Sequence, residues 1–309
     1  MREWHFVKDN LEDLPTESVN RLTETIDIVT TEEKLRIINY EDKKIAHLIE
    51  EEIPTISRVI EFTVSSLRRG GRVIYVGAGT SGRIGVIDAS EVHPTFGEKD
   101  AFVAQIAGGR EAFTSSVEGA EDSREKGCSD ILSLEISDKD TVIGITASGR
   151  TPYVIAALEC ASKIGAKTVC ISNVKMAAAR KVVNVSIEVE TGPEVIVGST
   201  RMKAGTAQKM VVNMISTVTM IEMGKVFKNL MVDLVASNEK LVNRSIRIVE
   251  LATGVFHEEA RKVYELSGRD TKVAILMILD GIGKEEAKNK LQRNNGILSR
   301  ILESNGFSQ

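Results

Sequence analysis

Short apolar runs alternate with longer amphipathic stretches between residues 72 and 190. A strand that is buried on both faces of a parallel sheet needs a nearly continuous apolar run, whereas a covering helix needs one apolar stripe. Strands that alternate with helices are joined by right-handed crossovers. The pattern therefore predicts a three-layer α/β fold, in which helices flank a mostly parallel five-stranded sheet. The five runs are Val73–Val76, Ala101–Ala107, Val142–Thr146, Thr168–Ser172 and Val185–Val189.

Helical spacing continues on both sides of this segment. Apolar residues recur at helical intervals after a cap-like start at Thr31, and Pro54 fits the first turn of a further helix that ends near Leu67. Residues 203–235 are apolar on almost every side of a helix. Such a helix is buried, either within the chain or in a subunit interface, and we favour the interface. Short amphipathic helices are expected from about Asn238 onward.

These patterns predict three parts of the chain. They are an N-terminal helical segment (residues 1–55), a sheet-containing domain (56–237) and a small C-terminal helical domain (238–309). No apolar stretch is long and charge-free enough to span a bilayer, and the first residues lack the apolar core of a signal peptide. We therefore expect a cytoplasmic protein without membrane contacts.

A glycine-rich turn, here called the first hydroxyl loop, follows the first predicted strand. Gly77, Gly79 and Gly82 allow the backbone to turn sharply and to approach a ligand closely. Thr80 and Ser81 add two hydroxyl groups. A helix is expected to start after this loop, at about residues 83–88, and its N-terminal amides favour a bound phosphate.

The same glycine spacing fits a dinucleotide-binding turn, which requires an acidic residue at the end of the next strand. Here Glu98 and Asp100 precede the apolar run of that strand instead of closing it. The spacing therefore favours a sugar-phosphate ligand, although a tight turn without any ligand would show the same glycines.

Two further loops repeat this composition. The second hydroxyl loop (residues 147–152) contains Ser148 and Thr151, which with nearby amides could surround a phosphate. The third hydroxyl loop (residues 198–206) adds two cations. Three loops of this kind, each beside an apolar run or a helix start, indicate a phosphosugar site.

The overall composition limits the partners and the metal chemistry. A formal net charge of −4 argues against a nucleic-acid surface, so local groups must hold an anionic ligand against the field of the protein. Cys128, Cys160 and Cys170 are odd in number and lack C-x-x-C spacing. We therefore expect no disulfide and no zinc site, and predict buried, inert thiols.

The chain resembles sugar isomerase (SIS) domains and, more specifically, the N-acetylmuramic acid 6-phosphate etherase family. The resemblance covers nearly the whole chain from about Thr16, and its most specific parts are S-T-R-M-K-A-G-T-A-Q-K (199–209) and G-K-V-F-K-N-L-M-V-D (224–233). The runs that carry it are Gly77–Glu91, Val117–Glu125, Ala147–Val154, Gly198–Lys209 and Gly224–Lys240.

This resemblance implies a reaction and a mode of assembly. The family removes the D-lactyl ether of N-acetylmuramic acid 6-phosphate, which gives N-acetylglucosamine 6-phosphate and D-lactate. Its members work as homodimers and need no metal and no organic cofactor. The resemblance thus implies a phosphosugar substrate and a second copy of the chain as partners.

The chemistry of this ether explains why two carboxyl groups are needed. An alkoxide leaves poorly, so direct displacement at C3 is difficult. When the sugar ring opens, C2 lies next to an aldehyde and a base can remove its proton, after which lactate departs if an acid protonates its oxygen. Water then adds to the unsaturated aldehyde. One carboxylate and one carboxylic acid in unlike environments can perform these steps, each contributing about 10²–10⁴-fold.

The resemblance assigns these two roles to Glu91 and Glu121. Glu91 is implied to be the proton donor to the lactate oxygen, and Glu121 the residue that acts at C2. From the residues alone, Glu121 is one of four carboxylates in an acidic run, together with Glu118, Asp122 and Glu125.

The predicted substrate-binding residues all belong to the three hydroxyl loops. A hydroxyl group in such a loop can also cap a helix, and a cation can also form an ion pair with no ligand. The set is Gly79, Thr80, Ser81, Ser148, Gly149, Thr151, Ser199, Arg201 and Lys203.

Two other functions share part of this pattern. An aldose–ketose phosphosugar isomerase would use the same loops and one base, but would need neither the second glutamate nor the run 199–209. A non-catalytic phosphosugar sensor, similar to the glucokinase regulatory protein, would be much longer and would carry two such domains.

Overall fold

The computed structural model describes residues 15–304 of the 309-residue chain. Its sheet has the strand order β2-β1-β3-β4-β5, and the pairs β1/β3, β3/β4 and β4/β5 are parallel. The five predicted strands and the α/β fold are thereby confirmed. The strands are β1 (Val73–Gly77), β2 (Phe102–Ile106), β3 (Thr141–Ile145), β4 (Lys167–Ser172) and β5 (Val185–Glu188).

Helices precede, connect and follow these strands. The helices are α1 (Thr31–Glu50), α2 (Ile53–Arg68), α3 (Gly79–Phe96), α4 (Arg124–Ser133), α5 (Pro152–Ile164), α6 (Lys203–Glu222), α7 (Glu239–Thr253), α8 (His257–Ser267), α9 (Thr271–Asp280), α10 (Lys284–Arg293) and α11 (Leu298–Ser304). Pro54 lies in the first turn of α2, as predicted.

Three helix boundaries differ from the sequence prediction. The cap of α1 is Thr30, whose hydroxyl accepts from the backbone of Glu33 in a reciprocal capping box, one residue before the predicted cap. Helix α3 starts at Gly79 rather than near residue 83. Helix α6 ends at Glu222, so the predicted long helix covers only part of residues 203–235.

Side chains of β1 alternate between the two faces of the sheet. Ile74 and Val76 belong to a buried cluster that includes Leu158 of α5. Tyr75 points to the other face, where a Cβ atom on Gly85 of α3 would lie only 2.8 Å from the Cβ atom of Tyr75. Helix α3 therefore packs closely on β1 because glycine occupies that position.

The chain divides into two compact units. The first unit contains the described residues up to Ala89 together with Val103–Ile215, and therefore nearly all of the sheet. The second contains residues 90–102 and 216–304. The three-part division proposed from the sequence, with boundaries after residues 55 and 237, stays a prediction.

The second unit has its own apolar core, in which Tyr264, Ile275 and Leu276 are fully buried. Beside it, the carboxylate of Asp233 binds Lys225 at 3.2 Å and Lys272 at 2.6 Å. The specific run 224–233 thus contributes to the packing of this unit.

Two of the cysteines correct the sequence prediction. Cys128 of α4 and Cys160 of α5 form a disulfide with a Cα–Cα distance of 5.6 Å. The pairing follows from the side-by-side packing of the two helices, which sequence spacing does not reveal. Cys170 is a buried free thiol as predicted, and burial, with a smaller effect of the Glu188 charge, raises its pKa to about 12.

None of the helices in residues 15–304 combines the length and apolar character that crossing a bilayer requires.

Candidate active site

The first and second hydroxyl loops leave the sheet from neighbouring strands. Gly77 at the end of β1 is the register partner of Ile145 at the end of β3. In the order 2-1-3-4-5, the chain changes direction between β1 and β3, and ligands of such sheets bind at the carboxyl ends of those two strands. The topology therefore places both loops at the edge where this fold class holds its ligands.

Glycines allow the first hydroxyl loop to form a tight turn into α3. A Cβ atom on Gly77 would lie 2.6 Å from the backbone nitrogen of Gly82, and one on Gly82 would lie 2.6 Å from a side-chain carbon of Ile106. Gly79 has a φ of +52°, which a residue with a side chain seldom adopts. Ser81, in the first turn of α3, is 8% exposed.

The second hydroxyl loop is held on two sides. Gly149 has a φ of +67°, and its Cβ would lie 2.4 Å from the Cβ of Ala177, so a larger residue does not fit. The Gly149 carbonyl accepts from the backbone of Ala179 at 3.0 Å. The hydroxyl of Ser148 accepts from the backbone N–H of Arg150 at 3.3 Å.

Helix α5 begins directly after this loop and receives no side-chain cap from Thr151. The Thr151 hydroxyl instead lies 2.8 Å from that of Thr146. By contrast, Ser123, Asn238 and Asp270 cap α4, α7 and α9 with their side chains. The first turn of α5 therefore offers backbone donors of the kind that bind phosphate.

The third hydroxyl loop has a different arrangement from the predicted anion site. The first amides of α6 are capped by the chain itself, because the carboxylate of Glu194 accepts from the backbone N–H groups of Lys203 and Ala204, both at 2.9 Å. The ammonium group of Lys203 binds Glu41 at 2.6 Å and is almost fully buried. Of the remaining predicted ligands, Arg201 is exposed and Ser199 is half-buried.

Glu121 lies in a short 3₁₀ helix (Ala120–Asp122) that leads into α4. It follows Gly119, whose φ of +71° turns the chain, and its side chain is exposed. Arg124, at the start of α4, pairs with Glu159 of α5 at 2.6 Å rather than with the neighbouring acidic residues.

Glu91 belongs to the second unit, in the last third of α3. Its side chain is exposed, and its backbone carbonyl accepts from the hydroxyl of Thr95 at 2.8 Å. The helix continues beyond it through Pro94 to Phe96.

The first unit contains a buried polar group that the sequence patterns did not predict. Asp88 is 4% exposed, and its carboxylate accepts from the hydroxyl of Tyr75 at 2.9 Å and from the side-chain amide of Asn213 at 2.5 Å. Burial raises the pKa of Tyr75, and the charge of Asp88 raises it further. These bonds hold α3 to β1 and α6, and nothing in the local sequence pattern indicates that the three residues meet.

Within residues 15–304, no group of three or more His, Cys, Asp and Glu side chains is arranged to hold a metal ion.

Two family models match the chain. The model of the glucokinase regulatory protein N-terminal SIS domain matches residues 55–162, and that of the SIS domain matches residues 129–218. The first match spans β1 to β3 with the first and second hydroxyl loops, and the second spans β3 to β5 with the second and third.

Curated relatives match nearly the whole chain. An N-acetylmuramic acid 6-phosphate etherase of Geobacillus sp. (strain WCH70) is 51% identical over 294 residues, covering 95% of this chain and 100% of the relative. One of Clostridium beijerinckii is 50% identical over 295 residues, covering 95% and 97%. Among solved structures, a phosphoheptose isomerase from Francisella tularensis has a TM-score of 0.49 at 21% identity, covering 62% of this chain and 98% of its own.

Proposed function

The chain belongs to the N-acetylmuramic acid 6-phosphate etherase family, and from this premise we propose how its residues carry out the reaction. The enzyme is a carbon–oxygen lyase that converts N-acetylmuramic acid 6-phosphate and water into N-acetylglucosamine 6-phosphate and D-lactate. The main support is that about half of the residues are identical to those of curated etherases, over almost the full length of this chain and of each relative. This match favours the etherase over an isomerase or a phosphosugar sensor.

The phosphate of the substrate is proposed to bind at the carboxyl ends of β1 and β3. Ser81, Ser148, Thr151 and Thr80 supply hydroxyl donors there, and Gly79 and Gly149 allow the backbone to lie close to the ligand. The first turn of α5 supports this assignment, because Thr151 leaves its amides without a side-chain cap. In the third loop, Ser199 remains a proposed ligand of the phosphate, and Arg201 a proposed ligand of the lactyl carboxylate or the phosphate.

Lys203 is proposed to position the third hydroxyl loop. Its ammonium group is 3% exposed and is bound to the carboxylate of Glu41. A buried ammonium already paired with a carboxylate has little capacity left for a second anion. Lys203 therefore serves the site by fixing the start of α6.

Two glutamates are proposed to carry the proton transfers. Glu121 removes the proton from C2 of the ring-opened sugar, and Glu91 protonates the ether oxygen as the C3–O bond breaks and D-lactate leaves. Water then adds its oxygen to C3 of the unsaturated aldehyde, and C2 regains a proton. The net change is the addition of one water molecule and the release of one lactate.

A homodimer in the cytoplasm completes this proposal. Val218 and Ile221 of α6 are 36% and 45% exposed in the single chain, although they are apolar residues of a largely buried helix. A second copy of the chain would cover such side chains. Light scattering of the purified protein at several concentrations tests the dimer, and the mass of a monomer at all of them would contradict it.

Incubating the purified protein with N-acetylmuramic acid 6-phosphate and assaying D-lactate tests the reaction. We expect lactate and N-acetylglucosamine 6-phosphate in equal amounts, with solvent deuterium at C2 and ¹⁸O from labelled water at C3. Interconversion of aldose and ketose phosphates without lactate would instead identify an isomerase. Binding without turnover would identify a sensor.

A further inference from the structure

Asn173 lies directly after β4, is fully buried and connects three elements of the first unit. Its backbone N–H donates to the carbonyl of Ala147 at 3.0 Å. Its side-chain amide donates to the carbonyl of Val189, just beyond β5, at 3.3 Å. Its side-chain oxygen accepts from Nε2 of Gln208 in α6 at 2.8 Å. Asn173 thus ties the start of the second hydroxyl loop to β5 and to α6.

Gln208 is an unusual choice for its position. It is 1% exposed, and its Oε1 atom has no hydrogen-bond partner within the part of the chain that the structure describes. A buried amide oxygen without a partner is unfavourable, whereas the amide nitrogen of Gln208 satisfies the buried side-chain oxygen of Asn173. Its value to the protein must come from the bond to Asn173. Gln208 also lies in the specific run 199–209, of which the proposed mechanism uses other residues.

We propose that Gln208, acting through Asn173, is a positioning residue for the phosphate-binding loop. The carbonyl that Asn173 fixes belongs to Ala147, which is bonded directly to Ser148, and the carbonyl of Gly149 is fixed separately by Ala179. Both ends of the segment that carries Ser148 are therefore held by backbone hydrogen bonds. Gln208 fixes the side chain of Asn173, one of the two residues that donate these bonds. This inference rests on the proposed phosphate site.

Substituting Gln208→Met tests the inference, because methionine fills a similar volume and removes the donor. Thr168→Val is the matched control. Thr168 is also fully buried and lies in β4, the strand that precedes Asn173, but its bond to Asn184 is at the opposite end of that strand. The probes are inorganic phosphate and glucose 6-phosphate, titrated by calorimetry well below the unfolding temperature of each variant. Lactate release measured in parallel gives KM and kcat.

We expect Gln208→Met to weaken the binding of both probes about tenfold and to raise KM more than it lowers kcat. Thr168→Val should lower the thermal stability while leaving the Kd of both probes at the wild-type value. Unchanged probe binding in Gln208→Met would overturn the inference and would leave the proposed reaction intact if lactate is still released. Absence of lactate from the wild type would instead contradict the proposed reaction, while the comparison of Kd values would still decide this inference.

A measurement on the wild-type protein covers the case in which Gln208→Met does not fold. The side-chain amide resonances of Asn173 and Gln208 should shift when inorganic phosphate is added, because their bond is coupled to the occupied loop. Resonances that stay unchanged at saturating phosphate would overturn the inference.

Discussion

The Nζ atom of Lys203 lies 2.6 Å from Oε2 of Glu41, and both side chains are almost completely buried. The other oxygen of Glu41 accepts from Lys44 at 2.5 Å. Burial opposes the ionisation of Glu41, but its bonds to Lys203 and Lys44 outweigh that effect, so its pKa lies below the ordinary value. The pair joins α1 to the first residue of α6, which belongs to the third hydroxyl loop.

Lys203→Met should destabilise the protein by about 3–5 kcal/mol, because it removes the buried cation and leaves the Glu41 carboxylate with only the half-exposed Lys44. The double variant Glu41→Leu/Lys203→Met should recover most of this loss, since it removes both charges. Urea unfolding measures the two effects. The KM of the double variant distinguishes a positioning role of Lys203 from direct substrate binding. We expect a KM close to that of the wild type. A large rise in KM at restored stability would show that the ammonium group contacts the substrate.

Replacing Glu194 should change how stability depends on pH. Burial raises the pKa of Glu194, although two backbone N–H groups and Lys203 act in the opposite direction. A raised pKa in the folded state favours folding below the unfolded value of 4.5, and this contribution is lost as pH rises through the folded value.

The side chain of the Glu194→Gln variant cannot ionise. Its unfolding temperature, relative to that of the wild type, should therefore increase as pH rises above about 4.5. Thermal unfolding of both proteins from pH 4 upward, in steps, provides the measurement. A relative stability that falls with rising pH would contradict the assignment.

The disulfide between Cys128 and Cys160 should contribute measurably to stability. With a sequence separation of 32, cross-linking restricts the unfolded chain by about 3–4 kcal/mol in the loop-closure treatment. The double variant Cys128→Ser/Cys160→Ser should therefore unfold at lower urea than the oxidised wild type. Adding dithiothreitol should lower the wild-type midpoint towards that of the variant and leave the variant itself unchanged. A wild-type midpoint that does not respond to full reduction would argue against a stabilising disulfide.

The roles proposed for Glu91 and Glu121 should be separable by isotope exchange. Glu121→Gln should lose both the incorporation of solvent deuterium at C2 and lactate release, because no base starts the elimination. Glu91→Gln should lower the rate of lactate release by about 10²–10⁴-fold. It should retain exchange at C2, because this variant lacks only the acid that protonates the leaving lactate oxygen.

Glu118→Gln is the matched control for this experiment. Glu118 is an exposed carboxylate of the same acidic segment as Glu121 and accepts only a 3.2 Å bond from Ser116 among its described side-chain contacts. Its substitution should leave both rates near wild type. Retention of C2 exchange in Glu121→Gln would exclude Glu121 as the base.

The strands could be predicted from the sequence because the sheet is covered on both faces. All residues of β1 and β3 are buried, so each strand appears as an unbroken apolar run. The end of α6 was missed because its apolar pattern continues past the point where Gly224, with a φ of +74°, ends the helix. A pattern of apolar residues does not report such a backbone stop.

The first two hydroxyl loops were recognisable because glycine and hydroxyl residues closely follow β1 and β3. The side-chain contacts around these loops could not be recognised, because each contact joins residues that are far apart in the chain. Glu41 and Lys203 are 162 residues apart, and Asp88 and Asn213 are 125 apart. The capping of α6 by Glu194 was also missed, because a glutamate nine residues before a helix is not a usual cap.

The bond between Cys128 and Cys160 also closes a covalent ring. That ring includes all of β3 and the whole of the second hydroxyl loop. A protease that cut the backbone once inside the ring would leave two fragments still attached to each other through sulfur. Under non-reducing conditions, such a nicked protein would migrate as a single chain, with the strand and its loop retained.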